Sequence, residues 1–200
     1  GFTVLAALIS LVLTRIVVVT ALSYGLSRYA LEMVIRVLVL ELIPLTAALF
    51  VAMRCTIPNG TQISRLRQLG RFDALRRHGS DPVRVELLPR VIAGVFASIT
   101  LAALSCVVAL VLAYLGVYGF SLAGLPSYTR MFGHVFAPAV TLVFVIKTVL
   151  FSLAVALIPM AAGLYDTGER TQPDSELGGL ARMFAVLLLI EIGSLVGNYY

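Results

Sequence analysis

Long apolar stretches separated by short polar breaks dominate the chain. Five of these stretches reach the length of a membrane-spanning helix, about 20 residues. The predicted spans cover residues 2–24, 33–53, 91–118, 135–165 and 180–200. Only helices and closed barrels can satisfy their backbone groups in lipid, so stretches of this kind predict an all-α integral membrane protein. No repeat or low-complexity tract divides residues 1–200, and we expect them to form a single domain.

Residues 54–90 form the longest polar segment and are rich in arginine. Loops on the cytoplasmic side of a membrane carry an excess of Lys and Arg, which predicts that this segment is cytoplasmic. Residues 166–179 would then lie on the same side, and 25–32 and 119–134, with one arginine each, on the other. The basic segment either sets orientation alone or also docks a soluble partner. Its arginines are Arg54, Arg65, Arg67, Arg71, Arg76, Arg77, Arg84 and Arg90.

A pattern of apolar residues at every third position lies within this basic segment. The residues are Ile63, Leu66, Leu69, Phe72 and Leu75, with arginines between them. This spacing predicts an amphipathic helix on a surface or in a partner's groove. Residues 58–60 (Pro-Asn-Gly) predict a turn before it, and Gly79 its end. Asp81 and Pro82 predict the N-cap and first residue of the next helix, and Pro89 an interruption before the third span.

Ionisable residues inside the predicted spans are candidates for function. We single out five of them: Arg15, Arg36, Glu41, Lys147 and Glu191. A charge at the bilayer centre costs at least about 2.5–3.5 kcal/mol, so each should face a cavity or a partner. We favour the lining of a passage for Glu41 and Lys147, and structural pairing for Arg15 and Arg36. Arg36 and Glu41 are five residues apart, which does not favour their pairing in an ideal helix. Pro44 should kink or loosen the helix about one turn after Glu41.

Composition narrows the possible functions further. Hydrophobic residues make up 60% of the chain and charged residues 12%, and the net charge of +5 follows from membrane topology rather than from nucleic-acid binding. His78 and His134 lie on opposite sides of the predicted membrane, so we expect no metal site. Lys147 lacks the preceding glycines of a phosphate-binding loop, so we expect no cofactor on this chain. Cys55 and Cys106 are expected to be free thiols packed as small hydrophobic residues.

Several short motifs together resemble those of the MlaE/YrbE permeases, the membrane subunits of Mla-type and Mce-type lipid ABC transporters. The resemblance runs from about Leu31 to the C-terminus. Ile43 stands where the family's ELGP motif has glycine. The matching stretches are Glu41-Leu42-Ile43-Pro44, Arg54, Phe72-Asp73-Ala74-Leu75, Gly79-Ser80-Asp81-Pro82 with Arg84, Leu88-Pro89-Arg90-Val91, and Ile146-Lys147 with Phe151 and Gly163.

The resemblance implies a homodimeric permease of the bacterial inner membrane that moves phospholipid. It also implies a cytoplasmic ABC ATPase subunit, which would bind ATP and Mg²⁺, and a periplasmic MCE-domain protein. The candidate substrate-binding residues are Glu41, Leu42, Lys147 and Glu191. The implied ATPase-coupling residues are Arg71, Phe72, Asp73, Ala74, Leu75, Arg76, Arg77, Gly79, Asp81 and Pro82.

Three other interpretations remain open on sequence alone. An ion-coupled secondary carrier would use Glu41, Lys147 and Glu191 as a proton or ion relay and would need no ATPase. A permease of the same family could move another lipid, such as a sterol. A membrane scaffold would only recruit a cytoplasmic protein through residues 54–90, and would tolerate neutral residues at Glu41 and Lys147.

Overall fold

All regular structure in the described part of the chain is helical. The structure is a computed structural model, and it describes residue 32, residues 35–165 and residues 173–199. The main helices are α1 (Arg36–Gln68), α2 (Arg71–Arg77), α3 (Leu88–Tyr118), α4 (Leu125–Val135), α5 (Pro138–Tyr165) and α6 (Pro173–Tyr199). The predicted all-α class is therefore confirmed.

Four helical stretches are long and apolar enough to cross a membrane. They are Arg36–Gln68, Val83–Gly116, Pro138–Tyr165 and Gly178–Gly197. These stretches correspond to the last four of the five predicted spans. The first predicted span, with Arg15, lies outside the described residues, as do residues 166–172 of the last predicted loop.

The predicted turn at 58–60 is wrong, because α1 continues through these residues to Gln68. Pro58 is accommodated by the π-helical turn Ala52–Thr56 that precedes it in α1. Gly60 is buried, and a Cβ atom there would lie 2.5 Å from the carbonyl oxygen of Pro159 in α5. The glycine therefore permits close helix packing rather than a chain reversal.

Three prolines share one local backbone arrangement. Each follows a π-helical segment that ends two residues earlier: Arg36–Leu42 before Pro44, Ala52–Thr56 before Pro58, and Val83–Leu87 before Pro89. In each case the residue before the proline donates its N–H to the carbonyl five residues back. This wider turn relieves the clash of the ring with the carbonyl four residues back.

The π-helical turns before Pro44 and Pro89 test two of the predictions made from the sequence. Pro44 loosens its helix as predicted, and the loosened turn lies on its N-terminal side. Pro89 does not interrupt the segment before the third span, because the helix continues from Val83 into α3. The π-helical turn absorbs the proline, and the prediction of an interruption is wrong.

The predicted loop between the third and fourth spans is mostly helical. Ser121 caps a 3₁₀ turn at Leu122–Gly124 by accepting a hydrogen bond from the N–H of Ala123 (3.3 Å), and α4 follows directly. One side of α4 packs into a hydrophobic core through Tyr128, Met131 and Val135. The spacing of these residues, three and then four apart, is that of one helical face.

The chain divides into two compact units. The first comprises the described residues of Gly1–Ala47, Thr100–Thr148 and Ser194–Tyr200, and the second comprises Ala48–Ile99 and Val149–Gly193. A core cluster of buried residues in the first unit consists of Ile35, Leu38, Val39, Leu40, Ile43, Cys106, Ala109, Ala113 and Val135. A core cluster in the second consists of Ile63, Phe72 and Met160, with Leu75, Leu87, Val91 and Leu164 partly buried against it.

The two cysteines are free thiols, as predicted, but only one is packed. Cys106 is buried, and its Sγ lies 3.8 Å from the carbonyl oxygen of Val39. Cys55 is exposed, because it lies on a side of α1 that the described helices leave uncovered, and the prediction that it packs as a hydrophobic residue is wrong.

A half-buried tyrosine of α4 that bonds to α3 gives the first testable prediction. Tyr128 donates a hydrogen bond to the carbonyl of Leu110 (2.9 Å), and burial, with a smaller effect of Tyr118, raises the pKa of Tyr128 from 10.0 to about 12. Because the folded-state pKa is the higher one, this stabilisation is complete below pH 10 and is lost as the pH rises towards 12. Tyr128→Phe should lower the unfolding free energy by about 1 kcal/mol at pH 7 and flatten its decline between pH 10 and 12. Unfolding in detergent across this range measures both effects, and an unchanged decline would contradict the assignment.

Candidate functional site

Glu41 of α1 and Lys147 of α5 form a buried ion pair within the first unit. The side chain of Lys147 is 1% exposed and that of Glu41 is 11% exposed. Nζ of Lys147 donates a hydrogen bond to Oε2 of Glu41, and also to the carbonyl oxygen of Leu40 at 3.3 Å. Two residues singled out in the sequence, 106 positions apart, are therefore in direct contact.

The pair explains how two charges are accommodated inside membrane spans. A lone ammonium or carboxylate would carry a desolvation penalty of several kcal/mol, and close contact of opposite charges offsets much of it. The pair as a whole is neutral, and it lies among apolar neighbours, including Leu40, Val39 and Ile43, in the core of the first unit. An anionic group that enters this site can bind the ammonium only by sharing or displacing the Glu41 carboxylate.

The other two candidate substrate residues are Leu42 and Glu191. Leu42 is 38% exposed, whereas its neighbours Glu41 and Ile43 are buried. Glu191 is half-buried and belongs to the second unit, with one carboxylate oxygen buried. The structure thus brings together Glu41 and Lys147, and it places the carbonyl of Leu40 beside them. Sequence analysis missed this carbonyl, although Pro44, four residues later, was the available signal.

The predicted amphipathic helix is two helices with a sharp bend between them. α1 ends at Gln68, and Gly70 has a φ of 71°, a left-handed conformation that favours glycine. The apolar stripe is therefore only partly buried. Ile63 and Phe72 are in the core of the second unit, Leu75 packs on it, and Leu69 at the bend is 81% exposed. The prediction of one continuous helix is wrong, because the spacing of apolar residues does not reveal that Gly70 has a positive φ.

Gly79 and Asp81 end α2 and begin the next helix, as predicted. Gly79 has a φ of 72° and donates its N–H to the carbonyl of Arg76 (3.0 Å), and the N–H of Ser80 donates to that of Leu75 (3.0 Å). These two bonds form a Schellman motif, which satisfies the last carbonyls of α2. Asp81 then accepts a hydrogen bond from the N–H of Val83 (3.0 Å), as an N-cap does.

The outward side of α2 is charged and exposed. Arg71, Asp73, Ala74, Arg76 and Arg77 are all exposed, whereas Pro82 is buried. Arg76 lies 4.0 Å from Asp73, and Arg71 lies 3.9 Å from Glu86. Both side chains of the Arg76–Asp73 pair are 70% exposed, and exposed pairs contribute little to stability, so these two side chains can change partners at small cost. Glu86 is less exposed, at 15%, and also pairs with Arg90. α2 is thus fixed to the second unit by Phe72 and presents charged groups outwards.

Comparison with known proteins agrees with this architecture. The sequence matches the family profile described as Permease MlaE over residues 1–196, which is nearly the whole chain. A search of curated proteins finds no match. The matched range includes the Glu41–Lys147 pair, α2 and the four described spans except for Gly197. The chain therefore belongs to the MlaE permease family and is a membrane permease of an ABC-type transporter.

Proposed function

We propose that this permease moves phospholipid between the bacterial inner membrane and a periplasmic MCE-domain carrier. It would work as a homodimer with a cytoplasmic ABC ATPase, and ATP and Mg²⁺ would bind to that ATPase rather than to this chain. The buried Glu41–Lys147 pair carries the proposal, because it holds an ammonium inside membrane spans that would bind an anionic headgroup in a state of the permease that opens the pair.

A phospholipid combines the two properties that such a site recognises. Its phosphate is an anion that can compete with the Glu41 carboxylate for the ammonium of Lys147. Its acyl chains suit the apolar surface of the spans. A cycle follows if the ion pair is closed in one state of the permease and shared with the headgroup in another, because the two states then differ in lipid affinity.

The second feature that supports the proposal is α2. A short helix with one anchored apolar side and an exposed charged side fits the groove of a soluble partner. Movement of an ATPase pair would be transmitted through Phe72 to the core around Ile63 and Met160. We therefore assign to α2 and its Schellman motif the coupling of ATP hydrolysis to the membrane helices.

Purification of the tagged chain from its native membrane tests the partners and the substrate together. Mass spectrometry of proteins and lipids should find a P-loop ATPase, an MCE-domain protein and bound phospholipid. A different bound lipid, such as a sterol, would change the proposed substrate but leave the proposed partners unchanged. Transport that follows an ion gradient, with no ATPase in the preparation, would favour the relay of Glu41, Lys147 and Glu191.

Charge reversal on α2 tests coupling. Arg76→Glu should lower lipid-stimulated ATP hydrolysis of the assembled complex by about tenfold or more, because a reversed charge at a complementary interface repels the partner. Arg130→Glu is the matched control, since Arg130 is also an exposed arginine on a short helix, α4, on the side predicted to face away from the ATPase. Equal effects of the two substitutions, or none from Arg76→Glu, would contradict the assignment of α2.

A further inference from the structure

Lys147 is the only lysine in the chain. The other fourteen of its fifteen Lys and Arg residues are arginines. The one lysine is also the cation with a side chain only 1% exposed. An ammonium is a compact charge with three donors, whereas a guanidinium is larger and presents five donors in one plane. The buried site therefore calls for a small cation, and its oxygens determine where that cation lies.

One of those oxygens exists because of a proline. In an α-helix the carbonyl of Leu40 would accept a hydrogen bond from the N–H of residue 44. Residue 44 is Pro44, which has no N–H. The carbonyl of Leu40 therefore has no α-helical donor, and Nζ of Lys147 donates to it at 3.3 Å. The π-helical segment Arg36–Leu42, which ends just before Pro44, contains both Leu40 and Glu41.

We propose that Pro44 is a positioning residue of the lipid site: it withholds a backbone N–H from the Leu40 carbonyl, and this oxygen fixes the ammonium of Lys147 beside Glu41. The inference rests on the proposed function of the pair and adds a consequence. With the Leu40 carbonyl as a permanent acceptor, Lys147 exchanges Glu41 for an anionic headgroup without leaving α1. The carbonyl is part of the backbone, so no side-chain rotation can remove it.

The single lysine makes the arrangement directly observable. Lysine labelled with ¹⁵N gives one side-chain signal from the full-length protein in lipid, and ¹³C-carbonyl leucine adds a distance probe. The Lys147 Nζ signal should be dephased by the labelled carbonyl carbon of Leu40, whose oxygen lies 3.3 Å from Nζ. Absence of this dephasing in the wild-type protein would overturn the proposal without any variant.

Pro44→Ala tests the cause. The alanine N–H should occupy the Leu40 carbonyl, reduce the dephasing, and speed exchange of the ammonium protons by about tenfold or more, as expected for loss of one hydrogen bond to a charged group. Pro89→Ala is the matched control, because Pro89 also follows a π-helical segment but lies in the second unit. It should leave the Lys147 signal unchanged. An unchanged signal in Pro44→Ala, or an equal change in Pro89→Ala, would overturn the proposal.

Phospholipid transfer by the assembled complex separates this inference from the proposed function. Pro44→Ala should slow transfer, and adding Pro44→Ala to Lys147→Met should slow it no further. If the Lys147 signal changes in Pro44→Ala but transfer does not, the positioning role stands and the lipid role of the pair fails. If transfer slows while the signal stays unchanged, Pro44 acts by another route and the positioning role fails.

Discussion

Lys147→Met should lower the free energy of unfolding by about 3–5 kcal/mol, and adding Glu41→Gln should restore most of that loss. The single substitution leaves the Glu41 carboxylate buried without its cation, and this uncompensated charge carries the penalty. The double substitution removes both charges and replaces them with groups of similar volume, which is often close to neutral for buried pairs. Glu41→Gln alone should also destabilise, because it leaves the Lys147 ammonium with fewer acceptors.

The same three variants separate a structural pair from a transport site. Stability is measured by unfolding in detergent, and transfer of phospholipid by the reconstituted complex. We expect the double variant to be nearly as stable as the wild type and as inactive as either single variant. Recovery of transfer together with stability would show that the pair only holds α1 and α5 together. It would then exclude Glu41 and Lys147 from headgroup binding.

Lys147→Arg complements these variants, because it changes the size and shape of the cation at constant charge. It keeps the charge, yet the guanidinium is larger than the ammonium, and the site offers the Leu40 carbonyl and the Glu41 carboxylate at positions set by α1. The chain has arginine at every other basic Lys or Arg position, so lysine at position 147 does not follow a general preference of the chain.

The sequence predicted the membrane class and the importance of Glu41 and Lys147 from simple energetics. Length and apolarity define a span, and an ionisable residue inside a span needs a partner. What the sequence did not show is that Glu41 and Lys147 are each other's partner. Their contact depends on how α1 and α5 pack within the first unit, and no local pattern encodes an approach between residues 106 positions apart.

The wrong predictions share a cause, which is that glycine and proline signal more than one local structure. Pro58 and Gly60 are typical of a turn, yet the helix continues through both. Pro89 is typical of a helix break, yet a π-helical turn accommodates it. The apolar pattern around Gly70 indicates a continuous helix, yet Gly70 interrupts it. Whether such a residue ends a helix or permits close packing depends on what lies against it, and this is a property of the tertiary structure.

Gly60 and Gly163 show this dependence most clearly, because the backbones of α1 and α5 meet at these two residues. A Cβ atom on Gly163 would overlap the carbonyl oxygen of Gly60 and lie 3.3 Å from its Cα. The obstacle is backbone, so no side chain can rotate away and the two helices would have to separate. Close approach through small residues is a common way for helices to associate in lipid, where the hydrophobic effect does not drive them together.

Gly163→Ala should therefore destabilise the protein by about 2–3 kcal/mol, although alanine is the better helix former. Gly133→Ala in α4 is the matched control, because a Cβ atom there meets nothing within 4 Å, and it should change stability by less than about 1 kcal/mol.

The strain at Gly163 should also reach α2 through the core cluster of Ile63, Phe72 and Met160. Phe72 belongs to α2, and Ile63 and Met160 each lie three residues from one of the two glycines. We accordingly expect Gly163→Ala, but not Gly133→Ala, to weaken lipid stimulation of ATP hydrolysis as well as to lower the unfolding temperature. Equal unfolding temperatures for the two variants would mean that the helices can separate at this crossing without cost. No strain from the crossing would then be transmitted to α2.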